Sequence, residues 1–272
     1  MSTLSTIAFI GGGNMASAII GGLLRQGLAA GQIEVVEPFE AARAALKEQF
    51  GIQARPEASA ALARAQLVVW AVKPQTFKEA AAAVAPHTGN ALHLSVAAGI
   101  TTESIAAWLG SERIVRAMPN TPALIGQGIT GLYARPAVDA EARALVEQAV
   151  ASTGKHLWVE EEAQLDAVTA LSGSGPAYVF LFLEAMTRAG VEMGLGAHQS
   201  YQLAVATFQG ASELAARSSE PAEVLRQRVT SKGGTTHAAI SHMQQAQLPE
   251  QFVAAMRAAE QRAKELAKEF GR

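Results

Sequence analysis

The chain has 272 residues, 49% of them apolar and 17% charged, which is enough to bury a sizeable core across two domains and excludes a disordered polypeptide. Its formal net charge of −2, with acids and bases interspersed, excludes the broad basic face that a nucleic-acid backbone or an anionic membrane requires, so a small-molecule partner is expected. Cysteine is absent, which removes disulfides, thiolate metal sites and cysteine nucleophiles together and fits an intracellular setting.

The opening residues, Met1 to Thr6, carry no basic stretch and no cleavage site, so no signal peptide is visible. The longest apolar run, Pro176 to Leu183, is broken by Glu184 and falls far short of the roughly 20 residues that span a bilayer. A soluble, cytoplasmic protein without a membrane partner is expected.

From Ile7 onward, short apolar segments alternate with alanine-rich amphipathic ones. Ile7–Ile10, Ile33–Val36 and Leu67–Val72 read as strands, with Met15–Gln26 and Phe39–Phe50 as the helices between them, the βαβαβ rhythm of a parallel sheet. Further strands are expected at Ala91–Val96, Ile114–Ala117, Gly128–Tyr133 and His156–Val159, with a helix at Val138–Thr153. After about Glu161 the alternation stops and the text turns helical. The expected architecture is an α/β Rossmann domain over residues 1–160, followed by an all-α domain over residues 161–272.

The first strand runs into Gly11-Gly12-Gly13-Asn14-Met15-Ala16, a G-x-G-x-x-A pattern at the start of the first helix. Gly11 permits the tight turn, Gly13 lets backbone approach a pyrophosphate, and Ala16 keeps the helix close to the sheet while its first N–H groups face the phosphates. Glu37 follows the second strand about 20 residues later, where an acid meets the hydroxyls of an adenosine ribose. A carboxylate there favours NADH over NADPH, and the nearest arginine in sequence, Arg43, is six residues further on.

Val72-Lys73-Pro74-Gln75 follows the third strand and should line the cofactor, with Lys73 either contacting a ligand or simply solvated. Ala97-Ala98-Gly99 ends the fourth strand with small residues, either to admit a flat nicotinamide or for sheet packing. Asn120, between Pro119 and Pro122, offers a donor and an acceptor to a ligand or caps its own turn.

In the helical part, Leu171-Ser172-Gly173-Ser174-Gly175-Pro176-Ala177-Tyr178 is a helix entrance that either packs or touches a ligand. Ser231-Lys232-Gly233-Gly234-Thr235-Thr236 precedes a helix expected from about His237. Two glycines expose backbone N–H groups there, and the helix dipole adds positive potential, a seat for a carboxylate, although a plain turn capped by Thr235 has the same text. Phe252, Met256, Ala259, Ala263, Leu266 and Phe270 form an apolar seam on the last helix, facing either the chain itself or another subunit. The six histidines form no ligand pattern, so no metal is expected.

Gly11–Ala16, Ala71–Pro74, Ser95–Gly99, Met118–Pro122, Asp166–Tyr178 and Ser231–Thr236, in that order over nearly the whole chain, resemble pyrroline-5-carboxylate reductase. The resemblance implies NADPH or NADH as cofactor and reduction of 1-pyrroline-5-carboxylate to L-proline. It also implies a helical domain that dimerises by interlocking with its partner, often within a larger homo-oligomer. Carried over residue by residue, Thr236 holds the ring nitrogen, N–H groups from Gly234 through Thr235 to Thr236 hold the carboxylate, Ser231 supports the loop, and Glu162 lies near the substrate. Lys232, Gln227 and Glu37 depart from the family pattern. A β-hydroxyacid dehydrogenase would need a lysine between Gly173 and Ser231, and none occurs there. A dinucleotide-binding protein without catalysis would predict binding without turnover.

Overall fold

The computed structural model describes residues 5–271, so part of the opening stretch Met1 to Thr6 read above lies outside the described residues. Strand β1 (Ile7–Ile10) is buried on both sides, and its alternation is real: Ile7 and Phe9 join one core cluster, Ala8 and Ile10 another. A strand apolar at every position belongs in a parallel sheet with helices on both faces. Strands β2 (Ile33–Val36), β3 (Leu67–Trp70), β4 (Leu92–Ser95) and β5 (Ile114–Met118) complete the parallel set. Together with β6 (Gly128–Ala134) and β7 (Gly154–Trp158), the order is β2-β1-β3-β4-β5-β6-β7.

One core face is covered by α1 (Asn14–Arg25), α2 (Glu40–Phe50) and α5 (Ala140–Ala151), through residues such as Ile20, Leu46 and Val146. The other is covered by α3 (Pro74–Val84) and α4 (Thr102–Leu109), through Phe77, Val84 and Ile105. Within it the Trp70 ring stacks on Phe77 at 4.8 Å, and the Trp70 indole N–H donates to Nδ1 of His93 at 3.1 Å. His93 is thereby a neutral acceptor, and burial lowers its pKa to about 4.

β6 runs antiparallel to β5, and β7 is parallel to β6. The connection over residues 119–127 is too short for a crossover helix, and such a link returns the chain antiparallel. The expected elements otherwise hold to within a residue or two, except that β3 stops at Trp70 and leaves Ala71 and Val72 in the loop.

The chain divides into two compact units. The first ends at Ser174 and takes back the chain from Ala259 onward; the second runs from Gly175 to Ala258. This division differs from the boundary read at residues 160/161, and packing explains it. Helix α6 (Gln164–Val168) buries Leu165 completely and lays Val168 against Gly131 of β6. In the last helix, α11 (Leu248–Phe270), Leu266 lies against Gly99 and Phe270 packs on the α3/α4 core, so that half of the seam faces its own unit.

The second unit holds α7 (Gly175–Glu192), α8 (Ala197–Arg217), α9 (Ala222–Arg228), α10 (Thr235–Gln245) and the first half of α11. Phe182 packs on Phe208 and Phe252, and Tyr178 meets Phe252 edge-on. Leu183, Gly190, Ser200 and Ala204 are buried there, but Phe180 is 58% and Leu181 62% exposed, with Leu203 and Leu214 also in the open. No helix among the described residues is long and apolar enough to cross a membrane.

Candidate active site

Because β1 to β5 are parallel, the loops that follow them emerge along one edge of the sheet, where ligands lie in such folds. That edge gathers Gly11–Met15, Glu37, Val72–Gln75, Ala97–Gly99 and Asn120 from five separate stretches of sequence.

Gly11 has φ +95°, and a Cβ there would lie 2.6 Å from the carbonyl oxygen of Ala71, so both conformation and space demand glycine. A Cβ at Gly13 would meet no protein atom within 4 Å. Gly13 is also the N-cap of α1 and makes no side-chain cap bond, so the first-turn N–H groups after it have no intrahelical partner and face outward. Ala16 is fully buried beneath them. Open approach at Gly13 together with uncapped N–H groups fits a dinucleotide pyrophosphate.

Glu37 is only 5% exposed. Its Oε2 accepts from the Gly12 N–H at 2.7 Å and its Oε1 from the Phe39 N–H at 2.9 Å, tying the ends of β1 and β2 together. Arg43, six residues on, folds back so that its guanidinium donates to the carbonyls of Glu37 and Pro38, at 3.0 and 2.6 Å. The turn that follows β2 therefore carries a guanidinium held on its backbone carbonyls.

Lys73 is exposed as N-cap of α3, with Pro74 as the first helical residue and Gln75 exposed after it; Val72 is half-buried. Ala97 and Gly99 are buried and Ala98 half-buried. The Asn120 side chain bridges its surroundings: Oδ1 accepts from the Ile129 N–H at 3.0 Å, and Nδ2 donates to the Ser172 hydroxyl at 3.2 Å. That is the loop-fixing role, and it brings the Leu171–Gly173 stretch to this edge. Thr169–Gly173 is itself a π-helical turn, a local widening often found at functional sites.

Glu162 lies at the same end of β5 and α4. Its Oε1 accepts from the Thr102 N–H at 2.7 Å and from Arg116 at 3.1 Å, and its Oε2 accepts from the Thr102 hydroxyl at 2.6 Å. Arg116, 4% exposed on β5, also faces Asp166 at 3.9 Å. The Asp166 Oδ1 is buried without a hydrogen-bond partner, and burial raises its pKa against the pull of Arg116. Arg116 and Asp166 were not singled out from sequence. The signal was there: one arginine within Ile114-Val115-Arg116-Ala117 needs a buried acid.

In the second unit, Gly233 has φ +76° and the Gly234 N–H donates to the Ser231 carbonyl at 3.0 Å, closing a tight turn. Gly234 then caps α10 with extended geometry and no side-chain bond. Thr235 is the first helical residue rather than the cap, and the helix starts two residues earlier than the text suggested. The N–H groups of Thr235 and Thr236 are thus free of intrahelical partners at the positive end of an 11-residue helix. Ser231 and Thr235 are exposed, and Gly234 and Thr236 half-buried. Among the described residues no group of three or more His, Asp or Glu is arranged to hold a metal.

Comparison with known proteins adds to this geometry. Residues 162–266 match the family model for pyrroline-5-carboxylate reductase dimerisation. Residues 6–99 match the model described as NADP oxidoreductase, coenzyme F420-dependent. A pyrroline-5-carboxylate reductase of Pseudomonas aeruginosa is 47% identical over 268 residues, spanning 97% of this chain and 98% of that one. The structure of a pyrroline-5-carboxylate reductase from Coxiella burnetii superposes with a TM-score of 0.91 at 39% identity, over 97% of this chain and 99% of that one. The Plasmodium falciparum pyrroline carboxylate reductase with NADP bound gives 0.86 at 27% identity, over 98% of this chain and 99% of that one.

Proposed function

The chain belongs to the pyrroline-5-carboxylate reductase family and is an NAD(P)H-dependent oxidoreductase reducing 1-pyrroline-5-carboxylate to L-proline; from that premise we propose how its residues divide the work. The observation that carries the proposal is the uncapped start of α10 behind the Ser231–Gly234 turn.

When bound, the reduced nicotinamide supplies the hydride that the C=N carbon receives. The first unit holds it, with Gly11, Gly13, Asn14, Met15 and Ala16 at the pyrophosphate, Val72 to Gln75 along its length, and Ala97 to Gly99 and Asn120 beside the ring. Glu37 receives the adenosine ribose, and Arg43 beside it offsets the repulsion of an added phosphate, which supports use of NADPH as well as NADH.

In the second unit the N–H groups following Gly234 hold the substrate carboxylate, and the Thr236 hydroxyl bonds to the ring nitrogen as it changes from iminium to amine. A threonine hydroxyl is too weak an acid to supply the proton alone, so the proton enters with a protonated imine or through water. Ser231 fixes the turn. Glu162, clamped by Thr102 and Arg116, is the family's counterpart of a substrate-side acid and is assigned that role here. Residues 161–272 form the substrate-binding and dimerisation domain: the exposed Phe180, Leu181 and Leu203 seek a second copy of the chain, and the resulting homodimer is the unit from which larger assemblies are built. The enzyme works in the cytoplasm, at the last step of proline biosynthesis.

The test is to follow oxidation of NADH and of NADPH by absorbance with 1-pyrroline-5-carboxylate, and to detect proline as product. Rapid turnover with stoichiometric proline is expected. Dinucleotide binding without turnover would overturn the proposal.

A further inference from the structure

The sheet edge opposite the cofactor loops carries a second concave site. Gln66, Ala91 and Arg113 stand immediately before β3, β4 and β5, and with Asn90, Asp139 and Glu141 they line a polar cavity of about 450 Å³ wholly within the first unit. One arginine and two acids without ion-pair partners among the described residues line it.

Arg113 is half-buried, and its Nε is shielded from solvent with no hydrogen-bond partner. Its guanidinium has no ion pair among the described residues, whereas neighbouring arginines do: Arg64 pairs with Glu34, and Arg135 with Glu112. A donor shielded from water and left unmatched is destabilising, and a planar oxyanion seated on the guanidinium fork supplies the missing partner. The same cavity is lined by Asp139 and Glu141, both exposed; Asp139 uses one oxygen to accept from the Ala142 N–H at 2.8 Å, and neither acid has an ion-pair partner among the described residues.

A bare oxyanion would satisfy Arg113 but be repelled by the two acids, and a simple cation would meet the reverse. One small molecule carrying both charges satisfies all three. We infer that this cavity is a binding site for a free α-amino acid, its carboxylate on Arg113 and its ammonium toward Asp139 and Glu141, at the sheet edge remote from the cofactor loops. Asn90 and Gln66 supply further amide groups for a polar side chain. The inference does not depend on the reductase reading, since every residue it uses lies outside that machinery.

The test is calorimetric titration of the full-length protein, with NADP⁺ bound, by L-glutamine and by its analogues lacking either the amino or the carboxylate group. Glutamine is expected to bind once per chain and each analogue about tenfold or more weakly. Arg113→Gln should weaken glutamine binding by at least about tenfold, Glu141→Gln by a few-fold, with imine reduction unchanged in both. Arg113→Lys, which keeps the charge but loses the fork, guards against a folding defect and should also bind more weakly. Three results would overturn the inference: no glutamine binding to the wild-type protein, binding indifferent to all these substitutions, or a deamino analogue that binds as well as glutamine.

Discussion

The two units solve the burial problem differently. In the first, a sheet covered on both faces by helices leaves Phe9, Trp70 and Phe77 with no measurable exposure. In the second, α7 leaves Val179, Phe180, Leu181 and Met186 in the open while few residues are buried. The lesson is that the first unit folds around its own core, whereas the second carries apolar surface that a single chain does not cover.

The sharpest way to break that comparison is Leu181→Glu, which puts a charge on the exposed face of α7. We expect loss of the dimer by light scattering and near-complete loss of turnover, with dinucleotide binding retained; an active monomer would show the second unit to be self-sufficient. Gly11→Val attacks the other half and should lower dinucleotide affinity by about 100-fold or more, because strain at φ +95° and the clash with Ala71 displace the loop. Unchanged binding in equilibrium titration would remove that turn from the cofactor site.

A pH effect sharpens the picture of the first unit's core. His93 has a folded pKa lowered to about 4 against an unfolded value of 6.5, so between those values the unfolded chain binds the extra proton. Its contribution is intact above pH 6.5 and is lost as pH falls toward 4, by about 3 kcal/mol in full. Urea unfolding of the first unit should show this slope, and His93→Gln, which keeps an acceptor for Trp70, should flatten it. A slope unaltered by the substitution would place the titrating group elsewhere. The smallest effect is expected from Glu37→Ser, a several-fold shift of kcat/KM toward NADPH, since the substitution removes one carboxylate while Arg43 stays in the same turn. An unchanged ratio would mean that Glu37 serves only to tie Gly12 and Phe39.

Much of this was legible in the sequence because the strands are short unbroken apolar runs bounded by glycine and polar residues, which leaves little freedom in placing Ile7–Ile10 or Leu67–Trp70. Strand direction is not written in such runs, and the reversal at β6 followed only from the short link at residues 119–127. The glycine turns at Gly11 and Gly233 announced themselves through local chemistry. What stayed hidden is long-range: Arg116 finding Glu162 and Asn120 reaching Ser172 join residues whose spacing carries no period. The seam on α11 was visible as a pattern, but which half faced its own unit depended on where Gly99 and the α3/α4 core lay.

The central claim is that the start of α10 is where the imine is held. It is tested most directly by measuring kcat/KM for 1-pyrroline-5-carboxylate and the dissociation constant of NADPH for Thr236→Ala beside the unaltered enzyme. The account predicts a fall in kcat/KM of about 100-fold, roughly the loss of one charge-assisted hydrogen bond in the transition state, with NADPH affinity unchanged. Turnover equal to that of the unaltered enzyme would contradict it and remove Thr236 from the mechanism.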